Sequence, residues 1–258
     1  MTPPLDRMFE ALALPAATAI NRRVPKTVFN EQADLSAADK RLLDSGLERL
    51  NWRSTLRPAS VGLAAYEDEV RACPQIVVMS ARLRPGAAAE RLTTVIHRAI
   101  AHPLLLLCEA EDGVVLSVGL KRRHEREAER VVVERMAVSP PLPLTATAEP
   151  TSVTEAFLNS LGLAGIGGRD LWALHQGWAE RIEALTAAGI TGTFRLPRDA
   201  AEAEARRGGL ADHAAQVRAV AALRKRAQAE KQLNRRIDLA GEVARAETRL
   251  AGLVARLT

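Results

Sequence analysis

The sequence predicts an α+β chain: an N-terminal mixed sheet with helices, followed by a helical C-terminal region that ends in a long, coiled-coil-like helix. Three observations predict it. Apolar segments rich in Val, Ile and Leu, above all Ile76–Leu83 and the run from Leu104 to Glu109, read as strands. Between them, residues 87–101 set Leu92, Val95, Ile96 and Ala99 on one side of a helix. From Leu210 to Leu257 there is no proline, and only Gly241 and Gly252 interrupt a composition that helices tolerate well.

The elements follow in order. Leu5, Met8, Phe9 and Leu12 recur at helical spacing over residues 5–13. The basic segment from Asn21 to Lys26 is a turn or short strand, because Pro25 excludes a helix interior. Ser36, with Asp39 three residues on, has the form of an N-cap for a helix ending near Gly46. Residues 47–56 around Trp52 suit a strand that stops at Pro58. Asp112-Gly113 is a favoured hairpin dipeptide and joins the Leu104 strand to one over 114–120. The charged residues 121–130 then form a loop before a last strand over 131–138.

A proline-rich segment from Ser139 to Pro150 reads as a linker. Beyond it Ser152 and Asp170 cap helices, and Gly189 and Gly192 end the second. A short helix near 198–206 leads through Gly208-Gly209 into the long one. The expected organisation is an α+β domain over 1–145, a linker and helical segment over 146–200, and a long helix over 201–258.

As one helix the terminal stretch would be roughly 70 Å long, too long for one small core. Its apolar positions form two offset seams. Val220, Leu223, Ala227, Glu230, Asn234 and Ile237 make the first, with two polar members; Leu239, Val243, Ala246, Leu250, Leu253 and Leu257 make the second. Both alternate steps of three and four residues, the coiled-coil pattern with its period of about 3.5, so each needs a partner helix: one of this chain, a second copy, or another protein. Leu239, Val243, Leu250, Leu253 and Leu257 are the partner-binding candidates.

A formal charge of +5, from 36 basic and 31 acidic residues, permits nucleic-acid contact without demanding it. Two isolated cysteines, no leader-like N-terminus and no apolar run approaching about 20 residues favour a reduced, cytoplasmic setting without a membrane span.

Motifs for chemistry are sparse. The five histidines lie at no ligand spacing, so neither metal nor other cofactor is expected. No nucleophile has a base beside it in sequence, and Cys108 reads as inert core. Gly165-Ile-Gly-Gly-Arg-Asp170 resembles a phosphate loop but lacks the preceding strand and the Lys-Ser/Thr pair; a helix–helix turn suits it better. Glu109, Glu111, Asp112 and Lys121 are the only candidates for a metal-dependent nuclease. The basic clusters are richer. Arg22, Arg23 and Lys26, then Arg122 and Arg123 after Lys121, then Arg224, Lys225 and Arg226, and finally Arg235 and Arg236, could neutralise phosphates without reading sequence. No aromatic side chains are interleaved to stack on bases.

Three stretches carry a likeness to a known family. They are Ile20-Asn-Arg-Arg-Val-Pro-Lys26 with the segments 35–40 and 50–58 downstream, Leu174-His-Gln-Gly-Trp178 through Phe194, and Glu230-Lys-Gln-Leu-Asn234-Arg-Arg-Ile-Asp-Leu239. Through them the chain resembles the bacterial domain-of-unknown-function family 4391 over nearly its whole length. The resemblance implies a context rather than a reaction: accessory proteins encoded beside helicases and DNA methyltransferases in restriction or phage-defence clusters. It carries over no catalytic residue.

The function expected is therefore a non-catalytic accessory or adaptor subunit that docks a helicase or methyltransferase through its helical tail and touches DNA through arginine-rich surfaces. The alternatives are a metal-dependent nuclease at the 109–121 hairpin and a homo-oligomeric structural protein whose tail pairs with its own copy.

Overall fold

A computed structural model of the chain describes residues 3–29, 35–127, 130–144 and 151–257. Two compact units follow one another, Met1–Leu185 and Thr186–Thr258. The expected α+β class holds: a mixed sheet with helices, then a helical C-terminus.

The first unit is built on six strands, β1 (Ala19–Arg23), β2 (Leu47–Leu56), β3 (Ile76–Leu83), β4 (Leu104–Ala110), β5 (Gly113–Arg123) and β6 (Val131–Val138). They lie side by side in chain order. Every neighbour is antiparallel except β3 and β4, which run parallel from Val77 beside Leu104 to Arg82 beside Glu109. A parallel pair needs a crossover, and α3 (Ala89–Ala99) supplies it.

Alternation along the strands divides the core. Val77, Met79, Ala81, Leu83, Leu104, Leu106 and Cys108 share one buried cluster with Leu92, Val95 and Ile96 of α3 and with Leu43 of α2 (Ala37–Gly46). The intervening Ile76, Val78, Leu105 and Leu107 are equally buried and point to the opposite face. There α1 (Pro4–Ala11) packs with Met8 fully covered. With both faces covered, the central strands read as unbroken apolar runs. Truncating Leu105 or Leu107 to alanine is expected to cost about 3 kcal/mol, the usual scale for a closed core position.

Ser36 is the predicted cap: its hydroxyl accepts from Asp39 N at 3.1 Å and donates back to Asp39 Oδ2 at 2.9 Å. Other expectations need correction. The segment from Ser139 to Leu144 is bound to the sheet rather than free. Val114 and Leu142 exchange backbone hydrogen bonds of 2.9 and 3.0 Å, and Leu142 and Leu144 are buried; the rest of the expected linker, 145–150, lies outside the described residues. The first unit therefore runs past this segment to take in α4 (Ser152–Ser160) and most of α5 (Leu171–Thr191).

The cap of α4 is Thr151, whose hydroxyl accepts from Thr154 N at 3.2 Å, one residue earlier than expected. Asp170 caps α5 as expected, accepting from Ala173 N at 2.8 Å. The glycine-rich segment before it is a helix–helix turn. The buried Arg181 guanidinium closes this turn by donating to the carbonyls of Ser160, Gly177 and Gly165 at 2.7, 3.0 and 2.8 Å.

Candidate interaction site on the C-terminal hairpin

The terminal stretch is two helices, α6 (Ala200–Ala229) and α7 (Leu233–Val254), not one. Asp199 caps α6 by accepting from Glu202 N at 2.8 Å. The Glu202 carboxylate accepts from Arg198 N, Arg195 and Arg198, which together hold it at about 2. The helix runs without a break through Gly208-Gly209, so the short helix expected near 198–206 is the first part of α6. Glu230 and Gln232 are extended, and Glu230 Oε1 accepts from Gln232 N at 2.8 Å to steady the link.

After that link α7 returns antiparallel to α6. Arg224 reaches Glu247 at 3.0 and 2.7 Å, and Gln216 Nε2 donates to Ala246 O at 2.8 Å. Leu257 closes the open end against Gly209. The α6 members of the first seam, Val220, Leu223 and Ala227, thus pair with the second seam on α7. Val220, Ala246 and Leu257 are buried, and Leu239, Val243, Leu250 and Leu253 are half-buried. Of the three partners the spacing left open, the chain's own helix is the one found. The five partner-binding candidates lie on the chain segment that packs against α6, Leu257 buried and the other four half-buried. Glu247 bridges the hairpin through this contact with Arg224.

What remains outward is the tip. Residues 224–239 hold six basic and two acidic side chains, against a formal +5 for the whole chain. Arg224 is engaged by Glu247. Lys225, Arg226, Lys231, Arg235 and Arg236 are exposed, and among the described residues none is paired with an acid. Between them Leu233 and Ile237 are 61% and 60% exposed, the largest such values for big aliphatic side chains among the described residues. The charges are legible in the sequence, whereas heptad spacing places Ile237 inside a seam.

The other basic candidates are dispersed. Arg22 and Arg23 lie exposed on β1, at the sheet edge, while Lys26 donates to Asp44 O at 3.1 Å at the end of α2. Arg122 and Arg123 belong to β5, not to a loop. Arg122 pairs with Glu125 at 3.1 Å; Arg123 pairs with Glu67 and donates to Asp68 O at 2.6 Å, holding the small hairpin of Tyr66–Glu67 and Ala72–Cys73. These two guanidiniums are committed to internal contacts.

The nuclease constellation is not assembled. Glu109 faces Arg82 at 2.8 Å, and Glu111 accepts from Gly86 N at 3.2 Å. Glu109 is opposite Val114, seven residues along β5 from Lys121, so roughly 23 Å of strand separates the two ends. Lys121 is buried, donating to Ile100 O and to His102 O at 2.7 Å beyond the end of α3. Burial brings its ammonium down to about 7.

Sequence reasoning also missed a buried polar group around β5. His97 is fully buried with its Nε2 3.0 Å from Ser117 Oγ, and Gly119 leaves the space its ring occupies. His175 Nε2 lies 3.1 Å from Leu104 O. Burial, then the Lys121 charge, depresses His97 well below the usual imidazole range; burial holds His175 at about 4. Desolvation pushes both thiols, Cys73 and Cys108, up to about 12, so neither is a ready nucleophile. Among the described residues no group of three His, Cys, Asp or Glu could hold a metal, and no helix is long and apolar enough to cross a membrane.

Neither the curated proteins nor the solved structures contain a match to this chain. The model of one family does match, the domain of unknown function DUF4391, over residues 12–250. That span covers the sheet, its helices other than α1 and nearly all of the terminal hairpin, and the chain belongs to this family.

Proposed function

We propose that the chain is a non-catalytic accessory or adaptor subunit of a bacterial DNA-processing assembly of the restriction or phage-defence kind, with a helicase or methyltransferase as its protein partner. The hairpin of α6 and α7 is the docking module, and outward arginines and lysines touch nucleic-acid backbone. One observation carries this reading: the tip of a compact helical unit exposes Lys225, Arg226, Lys231, Arg235 and Arg236, and among the described residues none of these five is paired with an acid. Such a surface attracts an anionic partner. The best-formed polar group of the first unit, around His97 and Lys121, is instead sealed in the core.

The test is co-purification of the tagged full-length chain from its native cells, with fluorescence anisotropy on duplex DNA over a salt series. The proposal expects a stoichiometric helicase or methyltransferase partner and a DNA affinity that falls steeply with salt. A chain that elutes alone and leaves the DNA signal flat at low salt contradicts it.

A further inference from the structure

We infer that the hairpin tip is a docking site for an acidic, amphipathic protein segment, one that presents carboxylates around a small apolar face. The inference rests on the adaptor reading and specifies the partner's chemistry and the place where it sits.

Leu233 and Ile237 are four residues apart, so they stand one above the other on a single face of α7. Both are exposed, whereas the other apolar residues of the hairpin seam face the opposite helix. Lys231, Arg235 and Arg236 flank this pair in sequence, and Lys225 and Arg226 come from the last turns of α6. The two acids nearby do little to neutralise them: Glu230 is turned to the backbone of the link, and Asp238 is a single carboxylate. The helix N-terminus adds to the same field. Gln232 offers no side-chain cap, and the first turn of α7 has no acidic residue, unlike α6 and α2 with Glu202 and Asp39.

Three occupants fit a cationic tip to different degrees. A second copy of the same tip brings an equal excess of positive charge and is repelled. Nucleic acid satisfies the cations but gains nothing from two aliphatic side chains, and residues 224–239 contain no aromatic ring for a base to stack on. An acidic amphipathic segment uses both components, its apolar face covering Leu233 and Ile237 and its carboxylates meeting the ring of cations.

The experiment uses the full-length chain and a display library of short random peptides. Enriched peptides and a short DNA duplex are titrated against wild type, L233S/I237S and R235E/R236E. All four positions are exposed, and unchanged circular dichroism and melting identify folded variants. The inference expects peptides that combine acids with paired aliphatic or aromatic residues. Their affinity should fall roughly tenfold or more in each double variant, while L233S/I237S leaves duplex binding unchanged.

Peptides that bind L233S/I237S as well as wild type overturn the inference, as does a selection that enriches none. If R235E/R236E abolishes duplex binding while no peptide is recovered, the tip is a phosphate-binding surface instead. In those cases a partner that still co-purifies with both variants leaves the adaptor reading standing and removes only the tip from it.

Discussion

Gly209, in the interior of α6, lies under Leu257 at the end of the chain: a β-carbon at 209 would stand 2.8 Å from Leu257 Cδ2. Glycine in a helix interior costs about 1 kcal/mol relative to alanine, and here it admits the residue that closes the hairpin. The two positions are therefore coupled. Leu257→Ala is expected to lower the stability of the hairpin by about 2 kcal/mol. Gly209→Ala should be near neutral or slightly destabilising in the wild-type background, yet stabilise the Leu257→Ala background by about 1 kcal/mol. Denaturant unfolding of the four proteins reads this change of sign; additive effects would contradict the contact.

Acidification should weaken the first unit. His175 is held at about 4 and His97 well below its ordinary value, chiefly by burial. An unfolded chain takes up the same protons near pH 6.5. Between about 6.5 and 4 the unfolded state therefore binds more protons, and stability falls as pH falls, the full benefit being present above pH 6.5. The shift at His175 alone corresponds to roughly 3 kcal/mol. Denaturation at a series of pH values checks this, and His175→Gln should flatten the dependence. A wild-type profile that is flat over this window would contradict the burial of both rings.

Lys121 makes a prediction on the alkaline side. Its folded value is about 7 against an ordinary 10.5. Above pH 7 the folded chain releases this proton before the unfolded chain does, so stability rises with pH from about 7 to 8.5, before cysteine titration intervenes. Lys121→Met should remove the rise. Persistence of the same slope in that variant would assign it to other groups.

The arginines that were equivalent in the sequence should separate in function. Arg122 and Arg123 hold Glu125, Glu67 and the Asp68 carbonyl, so R122A/R123A should expose the 66–73 hairpin to limited proteolysis and leave duplex affinity within about twofold of wild type. R235E/R236E should reduce that affinity by roughly tenfold or more and shallow its salt dependence. Anisotropy and proteolysis on both variants distinguish the two groups, and equal losses of affinity would contradict the assignment.

Local signals explain what could be read beforehand. Ser36 with Asp39 and the β-branched run of Ile76–Leu83 are set by neighbours in sequence, and each appears where its chemistry placed it; the hairpin expected at Asp112-Gly113 also forms, with Glu111-Asp112 as its loop and Gly113 paired with Ala110. The helix break at Glu230–Gln232 has no proline or glycine to announce it. It follows from the packing of the two helices on each other, a tertiary effect, and Gly208-Gly209 does not divide a short helix from a long one because Gly209 sits inside α6, where it admits Leu257. The His97–Ser117 contact joins residues 20 apart across a helix and a strand, and only packing reveals it. Of the candidate site, the charge was visible in the sequence. The exposure of Leu233 and Ile237 was not, since it depends on which side of α7 the other helix covers.

The most direct measurement is quantitative mass spectrometry of proteins co-purifying with the tagged full-length chain and with its L233S/I237S variant, from native cells at equal expression. The account predicts at least one protein, acidic at its contact segment, that is stoichiometric with wild type and depleted roughly tenfold or more from the variant. Identical recoveries from both would contradict the claim that the tip of the α6–α7 hairpin is where this protein meets its partner.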